Sequence, residues 1–382
     1  MPLKLLSCLV LALCCSACVD EKKVDDPQQR SLQITELATG LTQPWGLAFL
    51  PDGRILITEK PGQLRIFDPA AGLQPPITGL PEIAEEGQGG LLDVALHPDY
   101  QNNGWIYFSY AAGGDDAFGT EVARAKLVDN ALQQLEVLFV AQPKVSGGNH
   151  FGSRLVFDKH GYLFITLGDR GNQHLVQDLS NHLGTIVRLH DDGSVPQDNP
   201  FVNTEGALPE IYSYGHRNVQ GATLHPTTGQ LWAHEHGPQG GDEINLPAPG
   251  VNHGWPVITY GVNYGTGSKI GEGITEKEGM AQPVYYWVPS IAPSGMTFYT
   301  GKQFPDWQGD LLVGSLKFQL LVRLELADGK VVNEERLLEG KVGRIRAVAQ
   351  GPDGNIYLLT DARDGKLVRV EPATAIDKAG IN

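Results

Sequence analysis

The segment Gly46-Leu-Ala-Phe-Leu-Pro-Asp-Gly-Arg-Ile-Leu-Ile-Thr-Glu59 is an apolar run, a Pro-Asp-Gly turn and a second apolar run. Pro51 fixes φ, Asp52 offers a side-chain acceptor and Gly53 tolerates positive φ, so the three together predict a tight turn between two strands. The same unit returns along the chain. Leu92-Asp-Val-Ala-Leu-His-Pro-Asp-Tyr100 with Trp105-Ile-Tyr-Phe-Ser-Tyr110 is a second copy, and residues 154–166 and 222–234 are a third and fourth. Residues 296–301 with 309–315 form a stretched fifth, and 345–360 close the series. Each copy is followed by further short apolar runs, such as Gln63–Phe67, Thr185–Leu189, Leu320–Leu326 and Lys366–Val370.

Repeated strand units without a composition break predict one large all-β domain, a six-bladed β-propeller with four-stranded antiparallel blades over residues 35–372. A pair of β-sandwiches would show a boundary, and a parallel β-helix would show shorter periods. The composition agrees. Of 382 residues, 47 are glycine, and only 19 % are charged against 41 % hydrophobic, which excludes a disordered chain. The 29 basic and 44 acidic residues leave a net charge of −15, which argues against nucleic acid and anionic membranes as general partners. Short loops favour a monomer.

All four cysteines, Cys8, Cys14, Cys15 and Cys18, lie at the start, so the propeller has neither a disulfide framework nor a cysteine metal site. Residues 1–17 carry Lys4 and then an apolar run, and read as a secretory leader. Its end, Cys15-Ser16-Ala17-Cys18, resembles a bacterial lipoprotein cleavage site, which predicts a lipid anchor at Cys18. Val19 rather than aspartate follows, which points to the periplasmic side of the outer membrane. Residues 18–34 are polar and aperiodic and read as a tether, and 373–382 as a tail.

Polar segments cluster where inner strands begin. Gly147-Gly148-Asn149-His150-Phe151-Gly152 sets a histidine among glycines, suited to general-base work, and a hairpin can bring Asp169 beside it. Each alone also reads as an ordinary turn residue. Arg217 and Asn218, in Tyr214-Gly215-His216-Arg217-Asn218, offer donors to a bound oxygen, or Arg217 pairs with a carboxylate. The loop His234-Glu235-His236-Gly237-Pro238-Gln239-Gly240-Gly241-Asp242-Glu243 has the hard oxygen ligands that calcium prefers. An exposed acidic loop reads equally well, while zinc lacks a third nearby histidine. Lys317, with Arg344 and Arg346 two apart on one strand, suits an anion with several carboxylates, or a charged surface. Gln88 precedes the second inner strand.

Taken in order, these motifs resemble the soluble quinoprotein sugar dehydrogenases, the glucose/sorbosone dehydrogenase family, from about residue 35 to 371, and its bacterial aldose sugar dehydrogenase branch most of all. The resemblance implies pyrroloquinoline quinone (PQQ) and Ca2+ as cofactors on a six-bladed propeller. It implies His150 as the base, Asp169 as its partner, Gln88 at the reacting end of an aldose, and Arg217 with Asn218 on the quinone oxygens. It further implies the carbonyls of Gly237 and Pro238 on the cofactor calcium, and Lys317, Arg344 and Arg346 on the cofactor carboxylates. Trp287 would line the cofactor site, and Asp242 and Glu243 would hold separate calcium ions. Asn149 and His253 depart from the glucose dehydrogenases, which have aspartate and tyrosine there. The implied reaction turns an aldose into a lactone and passes electrons to an external acceptor, a quinone or cytochrome, because no Cys-x-x-Cys-His haem motif is present. Two other readings fit a propeller: a non-catalytic module that binds a glycan or protein, and a calcium-dependent lactonase.

Overall fold

The computed structural model describes residues 32–373. The leader, Cys18 and the end of the tail lie outside them. The first strand, β1 (Leu32–Leu41), does not belong to the first blade. Blade one is β2 (Pro44–Phe49), β3 (Ile55–Glu59), β4 (Gln63–Asp68) and β5 (Gly72–Leu73). Blade two is β6 (Leu91–Leu96), β7 (Trp105–Gly114), β8 (Ala117–Val128) and β9 (Ala131–Val140). Blade three is β10 (Leu155–Phe157), β11 (Leu163–Thr166), β12 (Thr185–Leu189) and β13 (Ile211–Tyr214). Blade four is β14 (Val219–Leu224), β15 (Leu231–Glu235), β16 (Asp242–Asn245) and β17 (Tyr285–Trp287). Blade five is β18 (Pro293–Phe298), β19 (Leu311–Ser315), β20 (Leu321–Ala327) and β21 (Lys330–Leu337). Blade six is β22 (Ile345–Gln350), β23 (Ile356–Thr360) and β24 (Gly365–Pro372), with β1 as its outer strand.

All pairings are antiparallel, and the six sheets of four strands form the propeller that the repeats predict. The inner strands β2, β6, β10, β14, β18 and β22 adjoin one another in that order and return to β2.

The continuous apolar runs have a simple cause. Side chains alternate across a strand, and each second strand is covered on both faces by neighbouring blades. Leu56 faces the core shared with blade two, while Ile55 and Ile57 face blade six. Tyr107 turns towards blade three, and Ile106 and Phe108 towards blade one. Likewise Leu312 packs towards blade six, and Leu311 and Val313 towards blade four. The result is six separate apolar cores, one between each pair of neighbouring blades.

One boundary differs from expectation. The stretch read as a tether to residue 34 already contains the start of β1, because Leu32 and Ile34 pack into the core between blades five and six. Leu32 pairs with Pro372 and Leu41 with Gly365, so the first strand closes the ring against the last.

The axis is filled beneath its mouth by a buried ion pair. Arg154 Nη1 donates to Asp93 Oδ1 at 3.1 Å, Nε to the Gln220 carbonyl at 2.8 Å and Nη2 to the Arg346 carbonyl at 3.2 Å. Its guanidinium also lies 4.0 Å from the Trp45 ring centroid. Five of the six inner strands or their leading turns thus meet on one side chain.

Candidate active site

Above this pair lies a cavity of about 330 Å³, near the lower end of small-molecule sites. Every blade contributes to its wall: Trp45, Gln88, Gly152, Gln220, Ala292 and Arg346, in blade order. The blade four excursion between residues 246 and 284 delivers Trp255 to Asp169.

His150 has a left-handed backbone (φ +56°) between glycines. Gly168 lies so close that a Cβ there would meet the His150 carbonyl oxygen at 2.1 Å, so only glycine fits. Nδ1 of His150 lies 2.6 Å from Asp169 Oδ1, and its backbone N–H donates to Gln88 Oε1 at 2.9 Å. Asp169 is buried and also accepts from Trp255 Nε1 at 2.8 Å and from the Gly171 N–H at 2.7 Å. Burial pushes the Asp169 carboxyl up. Its hydrogen bond to His150 and the charges of His150 and Arg217 outweigh that, and the net shift is downward. Asp169 is therefore an anion at neutral pH, and a proton on Nδ1 of His150 leaves Nε2 as the basic nitrogen.

Arg217 and Asn218 sit directly behind this pair. The Asp169 N–H donates to the Arg217 carbonyl at 2.8 Å. Asn218 Oδ1 accepts from the Gly152 N–H at 3.3 Å and from Gln220 Nε2 at 3.2 Å. The Arg217 guanidinium donates to the His236 carbonyl at 3.0 Å and to the Gly237 carbonyl at 2.8 Å. The carbonyl expected to face calcium thus already carries a cationic partner. Pro238 packs its ring against Gly261. His234 and His236 both turn to blade five. Their Nε2 atoms hold the carbonyls of Ser294 and Pro293 in blade five, and burial lowers both, His236 to about 3.

Asp242 is held by the protein's own donors. Its carboxylate is fully buried and accepts four bonds: Gly237 N–H at 3.0 Å, Ser290 Oγ at 2.6 Å, Ile291 N–H at 2.8 Å and Ala292 N–H at 2.9 Å. Oδ2 takes three of these bonds and Oδ1 one, so the carboxylate ties two loops together. Glu243 differs. Burial, and then the charge of Glu235, push its carboxyl well above the usual range. One Asn245 amide bridges the two, 2.9 Å from Glu235 and 3.3 Å from Glu243. His253, stacked on His216 at 4.5 Å, closes the same small space with both ring nitrogens unpartnered. Among the described residues no three His, Cys, Asp or Glu side chains form a metal cage.

On the opposite wall, Arg344 and Arg346 share one partner. Asp361 Oδ2 accepts from Arg344 Nη2 at 2.7 Å and Nε at 3.2 Å, and from Arg346 Nη2 at 3.3 Å. Arg346 Nη1 donates to Gln220 Oε1 at 3.0 Å, while its buried Nε has no partner. Burial pushes Asp361 up, but the two arginines bring it below the usual carboxylate range. Lys317 is exposed and lies 5.2 Å from the Phe318 ring, beside the cavity-lining Leu316.

Trp287 stands apart from the group. It lies in the outer strand of blade four, its ring buried in the core against blade five and its Nε1 donating to Glu334 at 2.7 Å. That strand is the outermost of its sheet, and Trp287 does not line the axial cavity. Trp255, Gln220 and Lys60, which donates to the Gly87 carbonyl at 2.7 Å, were not singled out in sequence, although Gln220 lies inside the Arg217 motif.

A family model described as glucose/sorbosone dehydrogenase matches residues 41–369. The aldose sugar dehydrogenase YliI of Escherichia coli is 46 % identical over 347 residues, which cover 90 % of this chain and 93 % of that one. The crystal structure of the soluble E. coli aldose sugar dehydrogenase in its apo-form superposes with a TM-score of 0.87 at 44 % identity, covering 90 % and 100 % of the two chains. The PQQ-bound aldose sugar dehydrogenase of Streptomyces coelicolor gives 0.75 at 29 %, covering 90 % and 99 %. With its six blades, its axial cavity and a match across nearly all of the ring, the chain belongs to the glucose/sorbosone dehydrogenase family of sugar dehydrogenases.

Proposed function

We propose that this enzyme oxidises aldose sugars at C1 to lactones with PQQ and calcium, and that its electrons pass to an external quinone or cytochrome. The observation that carries this is the hydrogen-bonded pair of His150 and Asp169 beside an axial cavity whose far wall is cationic.

The residues fit the cofactor. Arg346 has a buried donor without a partner, and a planar guanidinium pairs well with carboxylates. Arg344, Arg346 and Lys317 would hold the acid groups of PQQ. The Gly237 and Pro238 carbonyls would hold the cofactor calcium, and Asp242 with Glu243, half-buried beside Glu235, would hold separate calcium ions. When bound, the quinone supplies the electrophilic carbon that accepts hydride.

The chain's own groups do the rest. Asp169, held by Trp255 and Gly171, fixes the imidazole of His150. His150 Nε2 takes the proton of the anomeric hydroxyl as C1 loses hydride, which yields the lactone. Gln88 Oε1 is bonded to the His150 N–H, leaving its amide donors for a sugar hydroxyl. The leader and Cys18 support a periplasmic, lipid-anchored enzyme, with the acceptor near that membrane.

Reconstitution with PQQ and Ca2+, followed by dye reduction on an aldose panel, tests this. Turnover that needs both additions supports it. A protein loaded with cofactor, as shown by absorbance, that oxidises no sugar overturns it, and lactone hydrolysis without PQQ would favour the lactonase.

A further inference from the structure

Arg170 follows Asp169 directly, and the reaction above makes no use of it. Its side chain is nevertheless buried. Nη1 donates to the Asn149 carbonyl, Nη2 to the Gly147 carbonyl at 2.5 Å, and the guanidinium lies 3.5 Å from the Phe151 ring centroid. These three contacts bracket His150. Both His150 (φ +56°) and Arg170 (φ +51°) have left-handed backbones, a strained conformation for such residues that persists only where the surroundings hold it.

On the other side the loop is tied by Gln88, and the Thr120 and Ser153 hydroxyls donate to the Phe151 carbonyl at 2.7 and 3.0 Å. Gln88 donates its N–H to the Gly148 carbonyl at 2.6 Å and accepts from the His150 N–H. Phe151 reaches the same loop, since a Cβ on Gly89 would meet its ring at 2.7 Å. Among the described residues, Arg170 supplies the side-chain bonds that join the Asp169 turn to the backbone around His150. Only a flat, forked cation can bond two carbonyls and stack on a ring at once, and lysine cannot do both.

We propose that Arg170 is a positioning residue: its fork holds residues 147–151 so that His150 Nδ1 stays on Asp169. The inference rests on reading His150 as the base. It predicts that Arg170→Lys lowers kcat about 10- to 100-fold, the cost of a small misplacement of a reacting group, with KM and PQQ affinity little changed. Arg170→Gln, which can keep one carbonyl bond, should fall between.

The second readout needs no turnover. A low-field imidazole proton resonance, assigned by its loss in His150→Ala, should broaden or vanish in Arg170→Lys. Unchanged kcat with an unchanged resonance overturns the proposal. So does a kcat loss that merely tracks lost PQQ binding or a lower Tm. If the wild type oxidises no aldose while the resonance still broadens in Arg170→Lys, the base assignment falls and the clasp stands.

Discussion

His150 Nδ1 and Asp169 Oδ1 lie 2.6 Å apart, although 19 positions separate them in the chain. One residue sits before the inner strand of blade three and the other after its second strand, so the hairpin itself makes the contact. His150→Ala should lower kcat by about 10²–10⁴, the usual share of general-base catalysis, while PQQ still titrates normally. An unchanged kcat would exclude the role.

Asp361 already occupies the two arginines assigned to the cofactor acid groups. Asp361→Asn removes that internal competitor and raises the positive potential of the wall. PQQ should then bind about tenfold more tightly, equivalent to about 1.4 kcal/mol. Arg346→Gln should do the reverse. Weaker binding in Asp361→Asn, measured by absorbance titration, would show that Asp361 organises the arginines instead of competing for them.

Trp287 bonds Glu334 at 2.7 Å, and Tyr285 donates to the same oxygen at 2.9 Å. Trp287→Phe therefore costs a hydrogen bond, of order 1 kcal/mol, and leaves one donor in place. Urea unfolding should show the loss, and PQQ affinity should not move. A large drop in affinity would return Trp287 to the cofactor site.

Burial holds His236 at about 3, well below the 6.5 of an unfolded histidine. Between these values the unfolded chain binds a proton that the folded chain refuses, so stability falls as pH drops through that window. Tm measured from pH 7 to pH 4 should decline, and His236→Gln should flatten the decline. Identical slopes for the two proteins would count against the assignment.

Leu358 is fully buried in the core between blades five and six. Leu358→Ala should cost about 2–5 kcal/mol, read as a shifted urea midpoint, without altering KM. A change in KM would mean that the blade interface reaches the cavity.

Much of this was legible in the sequence because the fold repeats. The run Ile55–Ile57 is apolar at every position only because two blades cover it, and the recurrence of such runs gives the blade number. His150, Asp169, Arg217 and Asn218 were found because glycine-rich turns at strand ends mark them. What escaped notice depends on distant partners. An aspartate after a strand, like Asp361, looks ordinary until two arginines close on it. Asp242 in an acidic loop gives no sign that four donors close on it. The pairing of Leu32 with Pro372 joins opposite ends of the ring, and no local pattern announces it.

That pairing has a consequence for how the protein is made. Residues 365–372 are translated more than 300 residues after Leu32–Leu41, so a growing chain has that first strand waiting without a mate while the other blades assemble. A nascent or truncated chain that stops short of Gly365 exposes two raw strand edges, which invite pairing with a second molecule. Aggregation of such truncations, more than loss of catalysis, is the failure this architecture builds in.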